Sequence, residues 1–133
     1  MEQQLILDKV YNAITQQGSL ANTEENGCFY IGEIDGIEVR CGIGHIIDEC
    51  TARNWARKND ASVTSIIQEY KDRDASMIPE KYRWMASQES FLQDIQDAHD
   101  FSMDVEGFQK RMQRLARKYS LESPDRKCEG VVT

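Results

Sequence analysis

Residues 28–43 constrain the fold most, because apolar side chains alternate there around a central Asp35-Gly36 pair. Asp tolerates, and Gly readily adopts, the positive φ angles that a two-residue type I′ turn requires. The sequence therefore predicts an antiparallel β-hairpin over about residues 28–43. This hairpin pairs Ile34 with Ile37, Gly32 with Val39, Tyr30 with Cys41, and Cys28 with Ile43.

Successive side chains of such a hairpin alternate between its two faces. One face is predicted to be apolar and buried, with Cys28, Tyr30, Ile34, Ile37, Val39, Cys41 and Ile43. The second face is mixed, with Phe29, Ile31, Glu33, Glu38 and Arg40. Gly32 leaves a gap in the apolar face, where we expect a helix to approach closely. Because an isolated hairpin is at best marginally stable, helices must cover its apolar face.

Helical periodicity occupies most of the remaining chain. An amphipathic helix is predicted over residues 2–17, with Gly18 as its C-terminal cap. Four further helices are predicted: one around Trp55 capped by Asp48 or Thr51, one from Val63 to Tyr70, one from about Ser87 to His99, and one from Val105 to near Ser120. The predicted fold class is α+β, with an N-terminal helix, one antiparallel hairpin, and four mostly amphipathic helices packed around it.

The length of 133 residues is that of one domain that can bury a sufficient core without a metal or disulfide. We predict a single globular domain over residues 1–121 and a short polar tail over residues 122–133.

The chain has 16 Lys and Arg against 23 Asp and Glu, a formal net charge of −7, which disfavours duplex DNA and anionic membranes as partners. No apolar run is long enough to span a membrane, and no secretion signal begins the chain, so we expect a cytoplasmic protein.

Four cysteines and two histidines are the first candidates for chemistry. The predicted hairpin makes Cys28 and Cys41 diagonal neighbours, roughly 7–8 Å apart, with His45 close by in sequence. A zinc site needs four converging ligands, and the close Cys pairs that make such a site convincing are missing. Two buried core cysteines are therefore favoured over a metal site or a disulfide, and we predict no metal and no cofactor.

Two further motifs have both a structural and a functional interpretation. Gly42 and Gly44 lie where the second strand ends, and a tight strand exit is favoured there over a phosphate-binding loop. The last helix carries a basic stripe of Lys110, Arg114 and Arg117, which could contact RNA or a phosphate-bearing ligand. Complementing the helix dipole or pairing with the acidic segment around Asp97 is the favoured role of these cations.

The order of motifs resembles that of an uncharacterised family of small proteins encoded by bacteriophages and prophages. The shared pattern covers roughly residues 27–121: a Cys-x-Tyr strand at 28–30, a Cys-x-x-Gly strand that runs into an Asp-Glu turn at 41–49, a His-Asp helix end at 92–100, and a closing helix at 115–121. The chain departs from the pattern at Gly42, where Ala is common, and at Ile47, where Pro is frequent. The resemblance implies a phage context and no reaction, and it draws attention to Cys28, Cys41, His45, Asp48, His99 and Asp100.

These observations favour an accessory protein of phage or prophage origin that binds and modulates a host or defence-system macromolecule in the bacterial cytosol. The alternative is a small enzyme or ligand sensor with a pocket near His45 and His99. No residue is predicted to be catalytic. The candidate ligand- or partner-binding residues are Glu33, Glu38, His45, Asp48, His99 and Asp100. A monomer and a homodimer both remain open, the latter because Phe29 and Ile31 would be exposed on the second face of the hairpin.

Overall fold

The computed structural model describes residues 2–23, 27–57, 62–73 and 78–125, which form five α-helices and two antiparallel two-stranded ladders. The α-helices are α1 (Gln3–Gln17), α2 (Glu49–Ala56), α3 (Val63–Arg73), α4 (Glu89–Asp100) and α5 (Val105–Lys118). The strands are β1 (Asn22–Thr23), β2 (Gly27–Cys28), β3 (Ile31–Ile34) and β4 (Ile37–Arg40). Two 3₁₀ segments span Ile43–His45 and Glu80–Gln88. The predicted α+β class, with its N-terminal helix and hairpin, is confirmed.

The β3–β4 hairpin has the predicted turn and register. Asp35 and Gly36 both have positive φ angles, 54° and 81°, as a type I′ turn requires. The four cross-strand pairs are Ile34 with Ile37, Glu33 with Glu38, Gly32 with Val39, and Ile31 with Arg40. The paired part is shorter than residues 28–43, since β2 pairs with β1 and Ile43 begins a 3₁₀ turn. The expected pairings of Tyr30 with Cys41 and of Cys28 with Ile43 are therefore wrong.

The burial of the hairpin does not follow simple alternation. Ile37, predicted to be buried, is 67% exposed, whereas Ile31 on the opposite face is only 6% exposed. A Cβ on Gly32 would lie 2.7 Å from the ring of Phe29, so this side chain approaches the glycine and the predicted helix does not. Phe29 is itself half-buried against the core. The expectation that Phe29 and Ile31 form an exposed apolar patch is wrong, because both pack inward.

Helix ends carry the expected signals. Gly18, at φ 78°, ends α1 and donates its N–H to the Ile14 carbonyl at 3.0 Å. Asp48 caps α2 by accepting the Thr51 N–H at 2.8 Å. Side chains of α4 serve the start of α3: the amide oxygen of Gln96, a buried residue, accepts the Val63 N–H at 2.8 Å. These caps fix where α2 and α3 begin relative to the core.

Helix α4 lies at the centre of the packing, against α3, α5 and the second 3₁₀ segment, while α1 packs on α5. The largest fully buried side chains are Trp55, Phe91, Phe108, Ile6, Leu7, Ile14, Ile43, Ile66, Ile67, Ile78, Met85 and Leu92. Within the described ranges, no helix combines the length and apolar character needed to cross a membrane. After α5, Glu122 exchanges hydrogen bonds with the Gln4 amide, and the domain boundary at residue 121 stays a prediction.

Candidate functional site

The hairpin tip, defined here as Glu33, Asp35, Ile37 and Glu38, is exposed at every one of these positions. Glu33 and Glu38 face each other directly across the two strands. Glu38 pairs with Arg40 at 3.4 Å and with Arg53 at 3.8 Å. Glu33 forms no ion pair within the described part of the chain. Like charges directly opposite each other destabilise a hairpin, so this arrangement has a cost in stability.

Ile37 supplies the apolar group of the hairpin tip. It follows Gly36 directly, and its backbone is held by the type I′ turn and by its pairing with Ile34. An exposed β-branched side chain on such a turn loses little conformational freedom when a partner covers it. The tip thus presents an ordered apolar anchor on one face of the hairpin and the carboxylates of Glu33 and Glu38 on the other face.

At the other end of the hairpin, the Gln17 amide joins α1 to β4. Its oxygen accepts the Arg40 N–H at 2.8 Å, and its nitrogen donates to the Arg40 carbonyl at 3.0 Å. The same oxygen lies 3.0 Å from His45 Nε2. Because an amide oxygen only accepts, His45 must carry its hydrogen on Nε2. Burial, followed by the positive charge of Arg40, lowers the pKa of the His45 imidazole to about 4, so this ring is neutral at neutral pH.

His99 is completely buried near the end of α4. Its Nε2 accepts the backbone N–H of Ala21 at 2.9 Å, so Nε2 carries no hydrogen. Its Nδ1 therefore carries the hydrogen and donates it to Asp100 Oδ1 at 3.0 Å. Phe108 packs edge-on against the ring. His99 thus ties the segment before β1 to the end of α4, with both ring nitrogens bonded inside the protein.

Asp48 combines a helix cap with an ion pair. Besides accepting the Thr51 N–H, its carboxylate accepts from Lys81 Nζ at 2.6 Å. The hydrogen bond from Lys81, and then the one from Thr51, hold the pKa of this carboxyl well below its usual range. The Asp48 N–H in turn donates to the Tyr82 hydroxyl at 2.8 Å. Asp48 therefore anchors the second 3₁₀ segment to the start of α2.

The strand exit and the cysteines have structural explanations in the described chain. A Cβ on Gly44 would lie 2.1 Å from the Tyr30 carbonyl oxygen, so only glycine fits there. The Gly44 N–H points at the buried Cys41 sulfur, 3.3 Å away. The Cys28 side chain lies outside the described residues. Among the side chains that are described, no group of three or more His, Cys, Asp or Glu is placed to hold a metal.

The α4–α5 surface carries charges of both signs beside a groove of about 220 Å³, which is lined by Asp94, Asp97, Ala98, Arg111, Arg114 and Leu115. Asp94 accepts from Lys118 Nζ at 2.9 Å and from the Tyr119 hydroxyl. Burial and this carboxylate raise the pKa of Tyr119 to about 12.

Across the described residues, Arg111, Arg114 and Arg117 form no ion pair. Of the basic stripe, Lys110 pairs within α5 with Glu106 at 3.3 Å, and no stripe residue pairs with α4 among the described residues. The ion pair with α4 is made by Lys118, which lies outside the stripe.

The six candidate residues lie at four places in the fold. Glu33 and Glu38 lie at the hairpin tip, Asp48 at the start of α2, and His99 and Asp100 at the end of α4. His45 lies at the opposite end of the hairpin, which we call the hairpin root and define by Gln17, Arg40, Gly44 and His45. His45 and His99 belong to different hydrogen-bond networks. No family model matches the chain, and neither the curated proteins nor the solved structures provide a match.

Sequence reasoning missed the two glutamines that organise this region, Gln17 and Gln96. Gln17 connects α1 to β4 and His45, and Gln96 also donates to the Tyr30 hydroxyl at 3.0 Å. No local pattern marks a glutamine as a bridging residue, because its partners are distant in sequence. The position of Gln17 just before the helix-ending Gly18 is the one available signal.

Proposed function

We propose that the protein is a phage- or prophage-encoded accessory protein that binds and modulates a host or defence-system protein in the bacterial cytosol. The hairpin tip is the proposed contact surface. The observation that supports the proposal is a type I′ hairpin tip that exposes Ile37 on one face and two directly opposed glutamates on the other. The phage context is supported by the resemblance of the strand, turn and helix-end motifs.

The loss of folding stability that the hairpin tip causes supports a binding role. An opposed pair of like charges destabilises a hairpin by about 0.2–1 kcal/mol, an effect that the ion pairs of Glu38 with Arg40 and Arg53 offset in part. Ile37, at 67% exposed, leaves most of its apolar surface in water. A bound partner reverses both effects if it brings cations to the carboxylates and covers the isoleucine. The feature therefore fits a surface that is completed by binding.

The charge of the tip specifies the chemistry of the partner. Glu33 has no neutralising ion pair in the described residues, and the whole chain has a formal net charge of −7. A basic protein surface with an apolar depression would be attracted at long range and would complement the tip on contact. Surfaces that normally hold nucleic acid have this character.

The histidines support binding over the alternative of catalysis. His99 has both ring nitrogens bonded within the protein, and His45 is held neutral with its Nε2–H directed at Gln17. A general base near neutral pH needs a pKa close to that pH, and that of His45 is about 4. Among the six candidate residues, Glu33 and Glu38 at the hairpin tip are the two that are exposed.

The proposal is tested by capture from bacterial cells with three matched proteins. The tip variant carries Glu33→Lys, Ile37→Ser and Glu38→Gln. The control variant carries Glu2→Lys, Leu5→Ser and Glu80→Gln, which are the same three types of change at exposed positions elsewhere. Both variants therefore change net charge and surface hydrophobicity equally, and thermal melts establish that each is folded.

We expect one host protein to be captured by the wild type and by the control variant, and to be reduced about tenfold or more with the tip variant. Equal capture of every protein by the wild type and the tip variant would contradict the proposal. So would the absence of any specific partner in cells of several bacterial hosts. Once purified, the partner should bind Ile37→Ser about tenfold more weakly than wild type in calorimetry.

A further inference from the structure

The connection between α4 and α5 exposes two large apolar side chains. Phe101 is 66% exposed and Met103 is 98% exposed. Between them Ser102 is buried and donates its hydroxyl to the Ala98 carbonyl at 2.5 Å. Asp104 caps α5 by accepting the Gly107 N–H at 2.7 Å. The connection is therefore well bonded while its apolar side chains contact solvent, an arrangement typical of an interaction surface.

Phe101 adjoins the groove between α4 and α5, and Met103 lies two residues beyond it in the same exposed connection. Phe101 follows Ala98 by three residues and Asp97 by four, so it continues the α4 wall of that groove. Arg111 and Arg114 form the opposite wall. We call Asp97, Phe101, Met103, Arg111 and Arg114 the corner face.

The corner face holds opposite charges that form no ion pair with each other among the described residues. The Asp97 carboxylate accepts from the Gln93 amide at 2.8 Å, which leaves its negative charge in place. Arg111 and Arg114 also lack an ion pair within the described residues. Positive and negative charges are therefore both available to a partner near the apolar side chains of Phe101 and Met103.

The presence of both positive and negative charges on the corner face indicates what kind of surface can bind it. A uniformly acidic surface would be repelled by Asp97, and a uniformly basic one by the two arginines. A second copy of the same face supplies charges of both signs, and a two-fold axis through the face allows each copy's carboxylate to meet the other's guanidinium groups. We propose that the corner face is the surface through which two copies of this chain associate.

The self-association is independent of the proposed hairpin-tip contact, because different elements form the two surfaces. In the dimer Phe101 and Met103 are covered by the second copy. The hairpin tips stay open, so each dimer presents two of them. Arg111 and Arg114 form intermolecular ion pairs with Asp97 of the second copy, so the charges that are unpaired in the isolated chain become paired in the dimer.

Sedimentation velocity of the purified chain over about 5 to 500 µM tests the association. We expect a reversible monomer–dimer equilibrium in the wild type, weakened about tenfold or more by Phe101→Ser with Met103→Ser. Leu5→Ser and Ile37→Ser, which remove exposed apolar side chains elsewhere, should leave the equilibrium unchanged. A monomer at every concentration would overturn the proposal, as would a dimer that is insensitive to the corner change or lost in Ile37→Ser.

A charge-exchange experiment tests the complementarity without assuming which residues meet. One variant carries Arg111→Glu and Arg114→Glu, and the other carries Asp97→Lys. Each variant alone should dimerise about tenfold more weakly than wild type, because its corner face then has one sign only. An equimolar mixture should restore dimerisation as a heterodimer, identified by native mass spectrometry. If thermal melts show that both variants are folded and the mixture still fails to associate, the charge-paired interface is overturned.

Discussion

Glu33 at the hairpin tip has no ion pair within the described residues, whereas His99 at the end of α4 has both ring nitrogens bonded inside the protein. Both are polar residues that sequence reasoning placed in one set of candidate binding groups. The structure separates them by what surrounds them. At the tip the glutamates and Ile37 are exposed on opposite faces of the hairpin, and at the end of α4 the imidazole lies in the core.

The hairpin root belongs with the buried histidine in this comparison. There the Gln17 amide forms hydrogen bonds with β4 and with His45, and the Tyr30 carbonyl packs closely against Gly44, where there is no room for a Cβ. Changes at the root and at His99 should therefore affect the stability of the fold. Changes at the tip should leave stability nearly intact and affect binding.

The largest expected effect is that of His99→Ala. The substitution leaves a cavity beside Phe108 and removes the acceptor of the buried Ala21 N–H. The free energy of unfolding should fall by about 3–5 kcal/mol in urea denaturation at neutral pH. A loss below about 1 kcal/mol would show that His99 is not a structural residue of the core.

Gly44→Ala tests the packing at the hairpin root. The new methyl group would meet the Tyr30 backbone, which cannot rotate away as a side chain can. We expect a loss of about 2–3 kcal/mol in the same denaturation measurement. Gly107→Ala is the matched control, since its nearest neighbour is the Asp104 side chain at 3.2 Å, and it should change stability by about 1 kcal/mol or less. Equal effects at the two glycines would contradict the close backbone approach.

Lowering the pH should destabilise the root through His45. The pKa of this imidazole is about 4 in the folded protein and about 6.5 in an unfolded chain, so the unfolded state binds more protons between these values. The stabilisation is complete above about pH 6.5 and is lost as the pH falls towards 4, by about 1–2 kcal/mol for this partly solvated ring. Unfolding free energies of wild type and His45→Gln across this range isolate the contribution, since other titrating groups are common to both. Parallel curves for the two proteins would contradict it.

The smallest expected effect is at the tip and has the opposite sign. Glu33→Lys replaces the repulsion of Glu38 with an attraction across the strands. The free energy of unfolding should rise by about 0.3–0.5 kcal/mol, with Glu33→Gln giving a smaller gain. A destabilisation by Glu33→Lys would show that Glu33 already has a structural role, and the contrast between tip and root would disappear.

The sequence predicted what local rules determine. Asp35 and Gly36 determine the turn and, through it, the register of the four pairs, and Gly18 and Asp48 mark the ends of helices. The exposure of Ile37 did not follow from the same pattern. Alternation indicates which side chains share a face, and it does not indicate how far the covering elements extend along that face.

The candidate site was less predictable, because its contacts are between distant segments. The hydrogen bond from Ala21 to His99 joins residues 78 positions apart, and that from Arg40 to Gln17 joins residues 23 apart. Neither partner carries a local signal of the other. The sequence therefore identified the histidines as special residues and left open whether they bind a ligand or hold the fold together.

Long-range ¹H–¹⁵N NMR of the imidazole rings at neutral pH shows directly whether both histidines are hydrogen-bonded structural residues. We expect two neutral rings in opposite tautomers: His99 with its hydrogen on Nδ1, directed at Asp100, and His45 with its hydrogen on Nε2, directed at Gln17. Two rings in the same tautomer, or either ring charged at neutral pH, would contradict this expectation.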